Sequence, residues 1–215
     1  MDWNPTTHYK DVLVAERYDR ERFNGLAGRV FNGLEQRAIR RAFGRTPRSA
    51  LVMDLPCGTG RLAETLLGEG FRVLGIDISG AMLQVARRKL ARFGDRFDTL
   101  VADVHELARD KGPFCDVALC ARVLMHFPLE QQIAFLRSVA MLTRGTVVFS
   151  QSLSTPYQRA RRGVKRLLGS HPPAMYPITE DDLAHLLEGA GLREVRRYRV
   201  ARLVSEGMFV VAEHR

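Results

Sequence analysis

The sequence predicts an α/β fold built on a mostly parallel sheet, and two observations carry that prediction. Three successive apolar runs each end in an aspartate, at Asp54, Asp77 and Asp103, and each leads into a stretch with helical spacing. Between the first run and its helix stands a glycine turn, Gly58-Thr59-Gly60. Strands alternating with helical patterns indicate βαβ units, whose sheets are parallel. In such sheets ligands bind outside the carboxyl ends of the strands.

The elements follow in order. Residues from about 11 to 43 have helical spacing and are rich in arginine; residues 18–23 lie in a first helix, and Gly25-Leu26-Ala27-Gly28 breaks it from a second running towards Ala42. A strand is expected near residues 50–55, then a helix over 60–69, a strand over 72–77 and a helix over 80–91. A strand over 97–102, a short helix near 105–109 and a strand over 116–121 come next. A helix from about Leu129 to Met141 precedes the strand around Thr146 to Ser150. Thr179 opens the last helix, with Asp182 three residues on in a capping-box arrangement, and Gly189 and Gly191 end it. Two alternating runs, residues 194–203 and 208–212, close the chain around a hairpin-like Ser205-Glu206-Gly207 connection. There is no internal repeat, low-complexity tract or linker, so residues 1–215 are expected to form one domain.

The ends of the apolar runs carry the chemistry. Gly58 and Gly60 let backbone N–H groups approach a ligand, and the following helix aims its free N–H groups and partial positive charge at the same place. A Gly-x-Gly-x-x-Ala pattern alone fits many nucleotide sites. Asp54, four residues before the first glycine, sharpens it: a carboxylate there suits a cationic amino group and suits a pyrophosphate badly. Asp77, at the end of the second run, suits vicinal ribose hydroxyls, because one carboxylate accepts two O–H hydrogen bonds. The competing nucleotide reading is a dinucleotide dehydrogenase, since Asp77 also stands about 20 residues beyond the glycines. Asp54 and Asp103 argue against it.

On these residues the chain resembles class I S-adenosylmethionine-dependent methyltransferases across nearly its full length. The resemblance implies a Rossmann-like, doubly wound, mostly parallel sheet with an antiparallel last strand beside the fifth, and helices on both faces. It places the family's glycine-rich first motif on Asp54 to Gly60, with Cys57, Gly58 and Gly60 in the loop, although Pro56 stands where a further glycine is common. It assigns the ribose to Asp77, an apolar cover for the adenine to Met82, the adenine amino group to Asp103 and a backbone N–H to Val104. Residues 122–127 resemble the segment after the fourth strand, where a histidine near His126 is frequent in small-molecule methyltransferases. Residues 1–45 take the place of a helical lid, which makes Tyr18 and Arg22 candidates to touch cofactor or acceptor; the plainer reading is an amphipathic helix packed on the core.

The implied activity is metal-free methyl transfer from S-adenosylmethionine to an oxygen or nitrogen of a small-molecule, saccharide or glycolipid acceptor. His126 is the candidate general base, because an imidazole takes a proton near neutral pH; alternatively it fixes the loop through a hydrogen bond. Arg122 orients the acceptor or pairs with a nearby acid. No carboxylate cluster beyond the strand-end set suggests a magnesium site. RNA as acceptor is disfavoured, because there is no added RNA-binding domain and no Asn-Pro-Pro-Tyr-type motif. A different class stays open: a methyltransferase fold used as a regulatory or binding module, with a partner protein.

Composition sets the outer bounds. The 215 residues, 46% hydrophobic and 27% charged, are those of a soluble globular domain. No apolar run approaches the roughly 20 residues of a bilayer span. The first residues, Met1-Asp2-Trp3-Asn4-Pro5, lack the basic and apolar regions of a secretory signal. Cys57, Cys115 and Cys120 have no metal-ligand spacing and read as reduced thiols of a cytoplasmic protein. For Cys57 the plainer role is a small residue in a tight turn.

The net charge of +9 is unevenly placed. No carboxylate occurs between Glu130 and Glu180, whereas Arg159, Arg161, Arg162, Lys165 and Arg166 crowd together. Arg159, Arg162 and Arg166 would share one helical face, and guanidinium forks suit phosphate oxygens. Residues 151–178 are therefore expected to be an acceptor-side insert that binds an anionic ligand: a phosphorylated glycolipid, RNA, a cyclic dinucleotide or the membrane surface, the last implying a peripheral location at the inner face. A solvated basic helix is the plainer alternative.

Overall fold

The computed structural model describes residues 25–154, 175–200 and 207–215. Its seven strands are β1 (Leu51–Asp54), β2 (Arg72–Asp77), β3 (Phe97–Val101), β4 (Cys115–Cys120), β5 (Thr143–Ser152), β6 (Leu192–Arg199) and β7 (Gly207–His214). They form one sheet in the order β3-β2-β1-β4-β5-β7-β6. The first five run parallel, and β7 enters antiparallel between β5 and β6. This is the predicted mostly parallel sheet with an antiparallel last strand. The order reverses at β1, so the carboxyl ends of β1 and β4 flank the crevice where open α/β sheets bind ligands.

The period-two alternation of the strands divides the core into two layers. On one face Val52, Val117, Leu119, Val148, Phe209 and Val211 meet three helices, α1 (Leu26–Ala42), α2 (Arg61–Gly68) and α3 (Gly80–Leu90), through Ile39, Leu62, Leu66, Leu67, Leu83 and Leu90. On the other, Met53, Ala118, Cys120, Val147, Phe149 and Val210 meet α4 (Val104–Asp110), α5 (Leu129–Met141) and α6 (Glu180–Gly189). Each fully buried Leu or Phe in these layers contributes roughly 1.5–3 kcal/mol. Helices therefore cover both faces, as the sequence predicts.

Local chemistry fixes the helix starts. Ser79 Oγ accepts the Met82 N–H at 3.2 Å and caps α3. Thr179 and Asp182 form the predicted capping box of α6, at 3.1 and 2.8 Å. One expectation needs correction. Gly25 to Gly28 does not break a helix throughout: Gly25 is the cap, α1 begins at Leu26, and Gly28 lies inside it. A single glycine costs a helix only about 1 kcal/mol, and the buried Ala38 and Ile39 anchor this one.

Candidate active site

Three strand ends and one loop build the site. β1 is paired on both sides, with Asp54 opposite Gly75 of β2 and Leu119 of β4, so its carboxylate is enclosed at 1% exposure. The Cys57 thiol hydrogen-bonds to it, and Oδ2 has no hydrogen-bond partner among the described residues. Burial pushes the Asp54 carboxyl up to about 7; the Cys57 hydrogen bond and the Arg61 charge oppose this, and the neighbouring Asp77 charge reinforces it. A buried, underbonded carboxylate is costly unless a cation meets it.

The loop after β1 folds back on β2. Cys57 N–H donates to the Ile76 carbonyl at 2.8 Å, and Gly58 N–H donates to Asp77 Oδ2 at 2.8 Å. Gly58 and Gly60 both have positive φ, 56° and 75°, which other residues reach only under strain. They differ in what lies beyond. A Cβ on Gly58 would point into open space, whereas one on Gly60 would stand 2.7 Å from Leu90 and 3.1 Å from Ala86. Gly60 thus serves the approach of α2 to α3 and is not on the cavity wall. The Cys57 thiol fills the space left by Gly75, where a Cβ would approach Sγ to 2.6 Å. Cys57 is therefore a small packing residue of the turn, and burial holds its thiol well above the usual range.

Asp77 accepts one backbone N–H on each oxygen, from Gly58 and, at 2.8 Å, from Ser79. Burial raises its pKa, and the N–H groups of Ser79, Gly58 and Ile78 hold the rise back. A carboxylate has about four lone-pair sites, so each oxygen keeps one for a hydroxyl. Asp103 caps α4 through Oδ1 alone, accepting from His105 N–H at 2.8 Å and Glu106 N–H at 3.3 Å.

Two arginines also line the site. Arg61, the first residue of α2, donates to Glu35 Oε2 and Asn32 Oδ1 of α1, both at 2.5 Å. Glu35, 3% exposed, also pairs through Oε1 with Arg122 at 3.5 Å. Arg122 follows β4 with a φ of 63°, a left-handed conformation that costs a non-glycine residue about 1–2 kcal/mol. Its N–H donates to Ser150 Oγ at 2.6 Å, and its guanidinium lies over Phe31. Of the two predicted roles for Arg122, pairing with an acid is present.

The three acids, the loop and the two arginines border one cavity of about 360 Å³. Asp54, Cys57, Gly58, Asp77, Met82, Asp103 and Val104 line it, as do Arg122 and His126. Its apolar wall includes Leu55, Ile78, Val123, Phe127 and Phe135, the last two stacked with centroids 5.9 Å apart. His126 ends a short turn, Leu124–His126, that brings it to the same wall as Arg122.

Residues 52–145, which hold this cavity's acids, glycine loop and His126, match the family model described as a methyltransferase domain. Over this stretch the chain is similar to methyltransferases. Among its relatives, a ubiquinone biosynthesis O-methyltransferase of Nitrosomonas europaea is 34% identical over 152 residues, covering 66% of this chain and 63% of that protein. Its counterpart in Xanthomonas axonopodis pv. citri is 31% identical over 156 residues, covering 68% and 64%. The chain thus spans just under two thirds of the length of these curated relatives. Among solved structures, magnesium protoporphyrin IX methyltransferase of Synechocystis PCC 6803 with bound S-adenosylhomocysteine shares the fold, with a TM-score of 0.74, 22% identity, and coverage of 99% and 100%. A Burkholderia thailandensis 1,6-didemethyltoxoflavin-N1-methyltransferase gives a TM-score of 0.68 at 22% identity, with coverage of 100% and 92%.

Within the matched residues 52–145, seven of the eight predicted cofactor residues meet at the cavity, with Gly60 behind the loop. Tyr18 and Arg22, and the basic Arg159, Arg162 and Arg166, lie outside the described residues. Sequence reasoning missed Glu35, Asn32 and Ser150. Each serves the site through a contact across at least 26 positions, for which local periodicity has no signal. The one available hint was Glu35 itself, the sole acid in an arginine-rich helix.

Proposed function

We propose that this chain is an S-adenosylmethionine-dependent methyltransferase that methylates a hydroxyl oxygen of a small-molecule acceptor, with a ring hydroxyl of a quinone-type precursor as the favoured class. The observation that carries the reading is Asp54, a residue of the cavity lining whose buried Oδ2 has no hydrogen-bond partner among the described residues. It is complementary to the ammonium of a methionyl group. The other lining residues fit the rest of such a ligand: Asp77 accepts from the ribose diol, Asp103 accepts from and the Val104 N–H donates to the adenine edge, and Met82 and Ile78 cover its faces. Open space beyond the Gly58 Cα leaves the loop backbone accessible.

When bound, S-adenosylmethionine supplies a methyl group on a sulfonium that needs no further activation. The chain's task is then to align the acceptor, exclude water and remove a proton. Alignment in ideal systems is worth up to about 7–11 kcal/mol. His126, on the cavity wall, takes the hydroxyl proton as general base, a contribution of about 10²–10⁴-fold. The stacked Phe127 and Phe135 and the apolar Val123 offer faces for a planar ring. The relatives' names, O-methyltransferases of ubiquinone biosynthesis, support oxygen as the target.

Calorimetry with S-adenosylhomocysteine and turnover of methyl-labelled S-adenosylmethionine test the reading, using catechols, monophenols, amines and phosphorylated sugars as acceptors. Saturable binding, weakened by Asp77→Ala, with methyl transfer to catechol oxygen is expected. Binding without turnover of any acceptor would favour the binding-module alternative, and transfer to amines alone would refute O-methylation.

A further inference from the structure

Two glutamines without any exposure, Gln132 and Gln151, lie under the turn that carries His126. Buried amides persist only where their hydrogen bonds are met, and here the bonds form a chain across three elements. Gln132, in the first turns of α5, donates through Nε2 to the Phe127 carbonyl at 2.7 Å and to the Tyr176 carbonyl at 3.2 Å. Its Oε1 accepts from Gln151 Nε2 of β5 at 2.7 Å, and Gln151 Oε1 accepts the Ser152 N–H at 2.9 Å. Tyr176 in turn donates its N–H to the Met125 carbonyl at 2.8 Å, and Ile178 donates to the Ser152 carbonyl at 3.1 Å.

The carbonyls of Met125 and Phe127, the two neighbours of His126, are thus held by Tyr176 and by Gln132. The Gln132 side chain hydrogen-bonds to both segments of this junction. Its two N–H donors are divided between the histidine turn and the chain that enters at Tyr176, and its oxygen is tied to the sheet. An apolar side chain of the same volume would fill the space and hold neither.

We infer that Gln132 is a positioning residue: it fixes the His126 imidazole relative to the cavity and makes that position depend on the chain at 176–178. The inference rests on the general-base role given to His126 above, and its two readouts separate the two readings. The first needs no acceptor. In protein saturated with S-adenosylhomocysteine, the NMR titration of the His126 ring should shift in Gln132→Met, while those of His105, His185 and His214 stay in place. A His126 titration that superimposes on the wild type would overturn the inference. The second is turnover of catechol. Gln132→Met should lower kcat on the order of 10²-fold, the scale of a misplacement near 1 Å, with affinity for S-adenosylhomocysteine within twofold of wild type.

In a His126→Ala background the same change should have almost no further effect, since groups acting as a unit are not additive. Equal losses in both backgrounds would show that Gln132 supports the fold and does not act through His126, overturning the proposal. If His126→Ala leaves turnover intact, the general-base reading fails, while the ring titration still decides the positioning. Gln151→Met leaves both Gln132 donors in place and should give a smaller loss than Gln132→Met; a larger loss would also overturn it. Should Gln132→Met not fold, Gln132→Asn, one methylene shorter and still a donor, carries the same cycle.

Discussion

Asp54 makes binding of an amino-acid-bearing ligand a proton-coupled event, and the coupling has a calculable size. Without ligand, burial holds its carboxyl at about 7. An ammonium placed against Oδ2 favours the ionised form and returns the group towards the ordinary carboxylate range near 4. If only the ionised site binds, about a tenth of the molecules are competent at pH 6 and about nine tenths at pH 8. S-adenosylhomocysteine should therefore bind about tenfold more weakly at pH 6 than at pH 8, and close to one proton should be released at pH 6. Calorimetry in buffers of different ionisation enthalpy reads both quantities. 5′-Methylthioadenosine, which lacks the amino-acid group, should show no such dependence, and Asp54→Asn should abolish it for S-adenosylhomocysteine. The sign for stability is opposite. A carboxyl raised in the folded state binds more protons than in the unfolded chain, so ligand-free stability falls as pH rises from about 4 to 7, by at most about 4 kcal/mol. Equal affinity at pH 6 and pH 8, or the same slope for 5′-methylthioadenosine, would refute the assignment of Asp54 to the ammonium.

The remaining predictions separate packing from binding. Gly60→Ala, strained at a φ of 75° and 2.7 Å from Leu90, should lower thermal stability by about 2–4 kcal/mol in a denaturation assay. Gly58→Ala meets no atom within 4 Å, so it should cost only the strain of about 1–2 kcal/mol and mainly weaken S-adenosylhomocysteine binding. Glu35→Ala removes a buried partner shared by Arg61 and Arg122 and should cost about 3 kcal/mol, measured by urea unfolding. Replacing Arg159, Arg162 and Arg166 with glutamine should leave S-adenosylhomocysteine affinity unchanged. It should flatten the salt dependence of any anionic acceptor's binding, because fewer counterions are released.

The sheet, its helices and the acids of the cavity were legible because each is written locally: an apolar run, a terminal aspartate, a glycine or a capping residue within a few positions. Thr179 and Asp182 are three apart, and Ser79 caps a helix three residues from Met82. The strand-end aspartates converge because parallel strands put all their carboxyl ends on one edge. What stayed hidden depends on distance in sequence. Glu35 reaches Arg122 across 87 positions, and Gln132 reaches Tyr176 across 44. The packing role of Gly60 stayed hidden for a related reason. Its pattern marks the loop, but the crowding by Leu90 and Ala86 that explains it comes from the next helix. Gly28 shows the limit of a local rule, since tertiary anchoring keeps α1 helical through it.

The placement of β7 also bears on the order of assembly during translation. Among the described residues β6 pairs with no strand but β7, which itself must slot between β6 and β5. As the chain leaves the ribosome, β1 to β5 are able to dock one upon another, because each finds its sheet neighbour already made. β6 emerges with nothing to bond to, and the free edge of β5, with Val147 and Phe149 unsheltered on one side, waits with it. Residues 207–214 then complete two ladders at once. Nascent chains halted before Gly207 should therefore be the ones that chaperones and proteases seize.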